Sequence, residues 1–137
     1  MLTGAYLLLL HLDRPREVAV GALGTLPFDA ATYVYVGSAM GGLEQRVARH
    51  LRDDKRPRWH IDRLLAAADR AEALLLPSPV RVECELAALV ATLPDTAAVR
   101  GFGCSDCRCE AHLFRVSERS AACLRAAFPA HLRRERT

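Results

Sequence analysis

The segment from Gly4 to Leu12 is apolar almost without a break and stops at Asp13-Arg14-Pro15. A short apolar run closed by turn-forming residues, with no helical cap, predicts a strand rather than a helix. Its apolarity is continuous instead of alternating, which implies burial on both faces. A chain that must hide both sides of a strand this early needs further strands beside it and other elements across it.

The rest of the chain supplies them. Glu17 to Ala22 reads as a second strand, Gly24 to Ala31 as a loop with Pro27 and Asp29, and Thr32 to Val36 as a third strand with β-branched and aromatic residues. Three neighbouring strands predict an antiparallel sheet. Leu43, Val47 and Leu51 recur at four-residue steps, predicting a helix over 43–52 whose apolar stripe packs on that sheet, with Arg46 and His50 sharing a flank. Pro57 restarts the chain, and a second helix is predicted from Arg58 to Ala68. Ala73 to Leu76 reads as a short strand or extended link. Ser78-Pro79 pairs a good N-cap with a proline at the first helical position, predicting a helix to about Leu93. A strand-like Ala97 to Phe102, a cysteine loop and a strand from His112 to Val116 follow. Ser117 then caps a last helix to about Phe128, and His131 to Thr137 reads as a frayed basic tail.

At 137 residues with 51% apolar residues, the chain fits one ordered domain. The expectation is a single α+β domain over residues 1–130, a small antiparallel sheet of three or more strands flanked by helices, with 131–137 as the tail. The net charge of +3 gives only a modest overall field. Arg46, Arg49, Arg52, Lys55, Arg56, Arg58 and Arg63 nevertheless crowd one stretch, interrupted by Asp53 and Asp54. Such a local excess suits a phosphate backbone, making Arg49, Arg52, Lys55, Arg56 and Arg58 candidate nucleic-acid contacts. A solvated helix face would look similar in a chain whose one lysine is Lys55. The cysteine count of five is odd, no secretory leader is read at the N-terminus, and the apolar run from Ala5 to Leu10 is too short to span a bilayer. A reduced, cytoplasmic setting without membrane association is expected.

Gly4-Ala5-Tyr6 opens the first strand, Tyr35-Val36-Gly37 closes the third, and Arg46 and His50 follow on the next helix. Two tyrosines, an arginine and a histidine drawn from separate segments suit a phosphodiester-cutting site better than a hydrophobic core. Taken singly, each has a plainer reading: strand tyrosines with their hydroxyls at the rim of a core, one surface arginine among many, a structural histidine. The ordered set resembles the GIY-YIG nuclease superfamily. Within it the chain is most similar to a small uncharacterised family sometimes joined to endonuclease III-type repair enzymes. Thr32 to Ala39, Trp59 to Asp62, Glu83 to Ala87 and Gly101 to Cys107 carry this narrower likeness, which spans Gly4 to Val116. The insert between Tyr6 and Tyr35 is longer than is usual for the superfamily, as is the step from Gly37 to Arg46, where Gly41-Gly42 can absorb the difference.

The resemblance implies a metal-dependent DNA endonuclease acting in repair or on unusual DNA structures, with a repair protein as a further partner. In that reading Tyr6 or Tyr35 positions or deprotonates the attacking water, Arg46 neutralises phosphate oxygens, His50 helps move the proton, and Glu83 holds Mg²⁺ or Mn²⁺. The rival is a nucleic-acid-binding domain on the same scaffold that no longer cuts. For the nuclease, Tyr6, Tyr35, Arg46 and one of two glutamates should line one open cleft. Glu83 and Glu85 lie on opposite sides of an apolar face set by Val82, Leu86, Leu89, Val90 and Leu93, so periodicity barely separates them. The family-like Glu-Cys-x-Leu-Ala run favours Glu83.

Two further clusters stand outside this set. His60 and Asp62 point to different helix faces and so do not form a dyad by spacing; Asp62 suits an N-terminal helix charge, Trp59 a core anchor, and His60 either a packing residue or an accessory proton shuttle. Cys104, Cys107, Cys109 and His112 are soft ligands enough for one zinc, which would make the cysteine loop the centre of an interaction module. All four fall within nine residues, too tight for an ordinary finger, so no zinc is expected and the cysteines read as a reduced, partly buried loop.

Overall fold

The computed structural model describes residues 2–52, 60–102, 111–128 and 130–135. Its centre is the predicted first strand, β1 (Gly4–His11), which pairs antiparallel with β4 (Thr32–Ala39) on one edge and with β5 (Arg70–Pro77) on the other. Both registers run the full length of β1. The main sheet has six strands in the order β6-β7-β4-β1-β5-β8, with β6 (Ala97–Ala98), β7 (Leu113–Val116) and β8 (Ala130–Glu135) completing it. Every pairing is antiparallel.

Continuous apolarity in β1 is explained by a core on each side. Tyr6, Leu8 and Leu10 face α1 (Leu43–Leu51) and α2 (His60–Ala67), packing with Leu43, Val47, Ile61, Leu64 and Leu65. Ala5, Leu7 and Leu9 face α3 (Glu83–Ala91) and α4 (Glu118–Ala127), packing with Leu86, Val90, Ala121 and Leu124. Arg125 of α4 also pairs with Glu72 of β5, tying that helix to the sheet. The α+β architecture of an antiparallel sheet flanked by helices is as expected. Among the described residues no helix is long and apolar enough to cross a membrane.

Four local expectations are corrected. The second strand, β2 (Arg16–Ala19), does not join the main sheet, because β4 and β5 already occupy both edges of β1. It pairs instead with β3 (Thr25–Phe28), inside the expected loop, as a separate hairpin. Gly21 and Gly24, both at positive φ, make its turn, and Val18 and Phe28 cover the α1/α2 core. The third helix starts at Glu83 rather than after Ser78, because Ser78 is still tied to the strand edge. Its N–H donates to the Thr3 carbonyl at 2.9 Å, and its Oγ accepts from Val80 N–H in a local turn at 3.2 Å. Leu89 of that helix is 56% exposed and lies off the buried face of Leu86, Ala87 and Val90. The expected basic tail is also strand for most of its length.

Ser117 caps the last helix as predicted, accepting from Ser120 N–H at 3.1 Å. Strand β8 forms six cross-strand pairs with β5, from Leu75 opposite Ala130 to Arg70 opposite Glu135. Deleting residues 130–137 should therefore lower the unfolding free energy by about 1–3 kcal/mol, at a few tenths to one kcal/mol per pair, measured by urea denaturation. An unstructured tail would leave the midpoint unchanged.

Candidate active site

Helix α1 buries Leu43, Val47 and His50, a stripe at i, i+4 and i+7. His50 thus takes the third place on the buried face rather than a flank beside Arg46, and a buried imidazole needs polar partners. Its Nε2 lies 2.8 Å from the Tyr6 hydroxyl. Its Nδ1 faces Asp62 Oδ1 at 3.9 Å. Asp62, in the first turn of α2, is only 2% exposed, so it is no solvated helix charge. Arg49 holds it with two parallel hydrogen bonds, Nη1 to Oδ1 at 3.1 Å and Nη2 to Oδ2 at 3.2 Å. Arg49, expected among the phosphate contacts, is therefore committed to an internal ion pair. A carboxylate removed from water requires a charged partner of this kind, and adjacent Arg49 supplies it.

Tyr6 stands opposite Gly37 in the β1–β4 register. A side chain at that position would place Cβ 2.4 Å from the Tyr6 hydroxyl oxygen, so the glycine of Tyr35-Val36-Gly37 is the space the phenol occupies. Arg46 is half-buried and lies beside the Tyr6 hydroxyl, and its Nη1 donates to the Ser38 carbonyl at 3.4 Å. Arginine can only donate. The Tyr6 oxygen thus lies between the Arg46 cation and His50 Nε2. Burial, reinforced by nearby Tyr35 and opposed by Arg46, drives the Tyr6 hydroxyl far above the ordinary tyrosine range. Tyr6 is a phenol, not a phenolate, at neutral pH. Tyr35 is half-exposed and meets the His50 ring edge-on, with ring centres 6.5 Å apart.

Glu83 approaches from the opposite face of the sheet. It continues the buried stripe of α3 backwards, at i relative to Leu86, Ala87 and Val90, whereas Glu85 is exposed. Its Oε1 accepts from Ser38 Oγ at 3.1 Å and from Arg81 at 3.4 Å, and its Oε2 lies 3.5 Å from Nδ1 of buried His112. Hydrogen bonding from His112, then from Ser38 and Arg81, holds the Glu83 carboxyl below its ordinary range against the opposing effect of partial burial. Glu83 is ionised at neutral pH. His112, weighed from sequence as a zinc ligand, meets this carboxylate through Nδ1.

Two faces of one sheet meet here because β4 is longer than its neighbour. Pairing with β7 ends at Tyr35 opposite Leu113, and a last bond runs from Val36 N–H to the His112 carbonyl at 2.8 Å. Beyond it, among the described residues, Ser38 has no strand partner on that side. Its carbonyl is reached by Arg46 from the α1 side and its hydroxyl by Glu83 from the α3 side.

Of the residues picked from sequence, the fold brings Tyr6, Tyr35, Arg46, His50 and Glu83 together; beside them stand Ser38 and Arg81, not picked there, and Asp62, read there as a helix-end charge. Ser38 directly follows the Tyr35-Val36-Gly37 motif, a signal that was legible; Asp62 stood in the family-like run from Trp59, but its partners lie on another helix and gave no local sign of its burial. His60 packs against Gly21 and edge-on against Phe102, with ring centres 6.1 Å apart, which supports packing over proton transfer. Arg52 is exposed. Lys55, Arg56, Arg58, Trp59, Cys104, Cys107 and Cys109 lie outside the described residues. Among the described residues no group of three or more His, Cys, Asp or Glu side chains could hold a metal. A cavity of about 400 Å³ lined by Cys84, Ala87, Ala98 and Phe114 lies against α3, and none of its lining residues belongs to the Tyr6 cluster.

A family model described as a domain of unknown function, DUF123, matches residues 5–133. The chain belongs to this family. No curated protein and no solved structure matches it. The matched stretch of this DUF123 domain contains every side chain of the cluster, from Tyr6 to His112.

Gly37→Ala tests the close approach of Tyr6. The added methyl must displace the phenol, so a loss of about 1–3 kcal/mol in stability is expected by chemical denaturation, with the Tyr6–His50 contact broken. Wild-type stability would show that the strand shifts to make room.

Proposed function

We propose that this domain is a divalent-metal-dependent endonuclease of the GIY-YIG kind that hydrolyses DNA phosphodiester bonds, in repair or in processing unusual DNA structures, in a reduced cytoplasmic setting. One observation carries the reading: a half-exposed arginine and an ionised glutamate reach Ser38 from the two faces of the sheet, beside a Tyr6–His50 pair that Tyr35 flanks.

Arg46 is pre-placed to neutralise the non-bridging phosphate oxygens, where charge grows in the transition state. Exposed Arg81, beside Glu83, adds positive charge for the strand to meet. Half-exposed Tyr35 holds the attacking water. Burial makes a free Tyr6 phenolate costly, so Tyr6 works as a relay: its hydroxyl proton goes to His50 Nε2 as its oxygen takes one from the water, leaving hydroxide to attack.

The residues fit a hard divalent cation. Mg²⁺ is usually held by one or two carboxylates, with water and substrate phosphate completing its shell, and Glu83 with Ser38 Oγ offers an ionised carboxylate and a hydroxyl. When bound there, Mg²⁺ or Mn²⁺ supplies charge stabilisation to the phosphate and the leaving oxygen. His112 keeps the carboxylate oriented from behind.

Arg46→Ala should lower cleavage by about 10²-fold or more while leaving the circular dichroism spectrum unchanged. Wild-type turnover in that folded variant would remove Arg46 from the mechanism.

Glu83→Gln should abolish metal-dependent cleavage of branched, flapped or damaged DNA, with partial recovery at high Mn²⁺, whereas exposed Glu85→Gln should match wild type. Inactivity of the unmutated protein on the whole panel, with Mg²⁺ or Mn²⁺, would point to the non-cutting rival.

A further inference from the structure

The Asp62–Arg49 pair lies behind His50, on the side away from Tyr6, and the reaction just described does not use it. We infer that Asp62 is a positioning residue: fixed by Arg49, its carboxylate keeps the His50 proton on Nδ1 and leaves Nε2 as the acceptor for the Tyr6 hydroxyl. The catalytic consequence rests on the nuclease reading, whereas the tautomer does not.

The geometry favours one ordering of protons. A carboxylate accepts only, and Asp62 Oδ1 faces Nδ1 at 3.9 Å, so a hydrogen on that nitrogen is favoured and a lone pair is repelled. Both side chains are 1% exposed, where water screens this preference poorly. Two hydrogen bonds to Arg49 prevent the carboxylate from swinging away. On the opposite edge of the ring, 2.8 Å from Nε2, the Tyr6 hydroxyl lies beside the Arg46 cation and has its own proton to give. When that O–H bond breaks, an N–H bond forms at Nε2 and the Tyr6 oxygen takes a proton from the attacking water. The positive charge then appears on an imidazole whose other edge faces a fixed negative charge. A pair that merely stapled α1 to α2 would have no reason to set the protonation of His50.

The test uses the full chain labelled with ¹⁵N-histidine, His50 being assigned by comparison with His50→Gln. Ring ¹⁵N shifts at neutral pH should show the Nδ1–H tautomer in the wild type. In Asp62→Asn the amide oxygen stays with Arg49 and the NH₂ group turns to Nδ1, so His50 should move its proton to Nε2, and kcat for DNA cleavage should fall about 10- to 100-fold with KM unchanged. Because Asp62→Asn alone leaves Arg49 without its charge partner, the double variant Arg49→Gln/Asp62→Asn removes both charges together and guards against unfolding. It should lose the Nδ1–H preference too. A wild-type His50 carrying its proton on Nε2, or on both nitrogens, would overturn the inference, as would a wild-type tautomer in either folded variant. The expected tautomer change in a protein that cuts no DNA would uphold the positioning role and sink the nuclease reading alone.

Discussion

Strand β1 is hydrogen-bonded along both edges and buried on both faces, so every other element is placed by reference to it. Its even-numbered residues belong to the core under α1 and α2, its odd-numbered residues to the core under α3 and α4. Tyr6 is the polar side chain in the middle of this arrangement. A hydroxyl in such a place costs about 1–3 kcal/mol if it is left without a partner. His50 satisfies it, and the cluster sits where it does because that oxygen has to be answered.

A sheet ordinarily separates what lies on its two faces. Here the separation fails at the end of β4, where Gly37 has no side chain and Ser38 extends beyond β7. Gly37 lets the phenol lie flat against the strand, and Ser38 offers a carbonyl to Arg46 and a hydroxyl to Glu83. Two helices from opposite layers can then act on one point without either crossing the sheet. The consequence is an anionic carboxylate and a cationic guanidinium that both reach Ser38, one at its hydroxyl and the other at its carbonyl.

Electrostatics divides the arginine-rich region into two classes. Arg49 is 20% exposed and spent on Asp62, joining α1 to α2 in the low-dielectric layer beneath the site. Removing one member of a fully buried pair costs about 3–5 kcal/mol, and partial exposure of Arg49 softens that figure here. Arg46, Arg52 and Arg81 keep solvent contact and are the charges that a phosphate backbone can meet.

Much of this was readable in the residues. A continuous apolar run means a strand covered on both faces, four-residue steps mean a helix, and Ser117 ahead of Glu118 means a cap, because each depends on contacts within a few positions. The order of Gly4 to Tyr6, Tyr35 to Gly37, Arg46 and His50 likewise marked out the cluster. What local pattern could not supply was partner choice. Arg49 reads like its basic neighbours until α2 brings Asp62 within 3.1 Å, and Glu83 differs from Glu85 only when Ser38 and His112 meet it. The hairpin β2–β3 and strand β8 likewise depended on which edges of the sheet were already filled. The sequence by itself determined the central strand, the helices with a clear apolar stripe or cap, and the chemistry the site can draw on. Tertiary structure alone decided which charges are buried together and which face solvent, because burial and pairing are set by residues far apart in the chain.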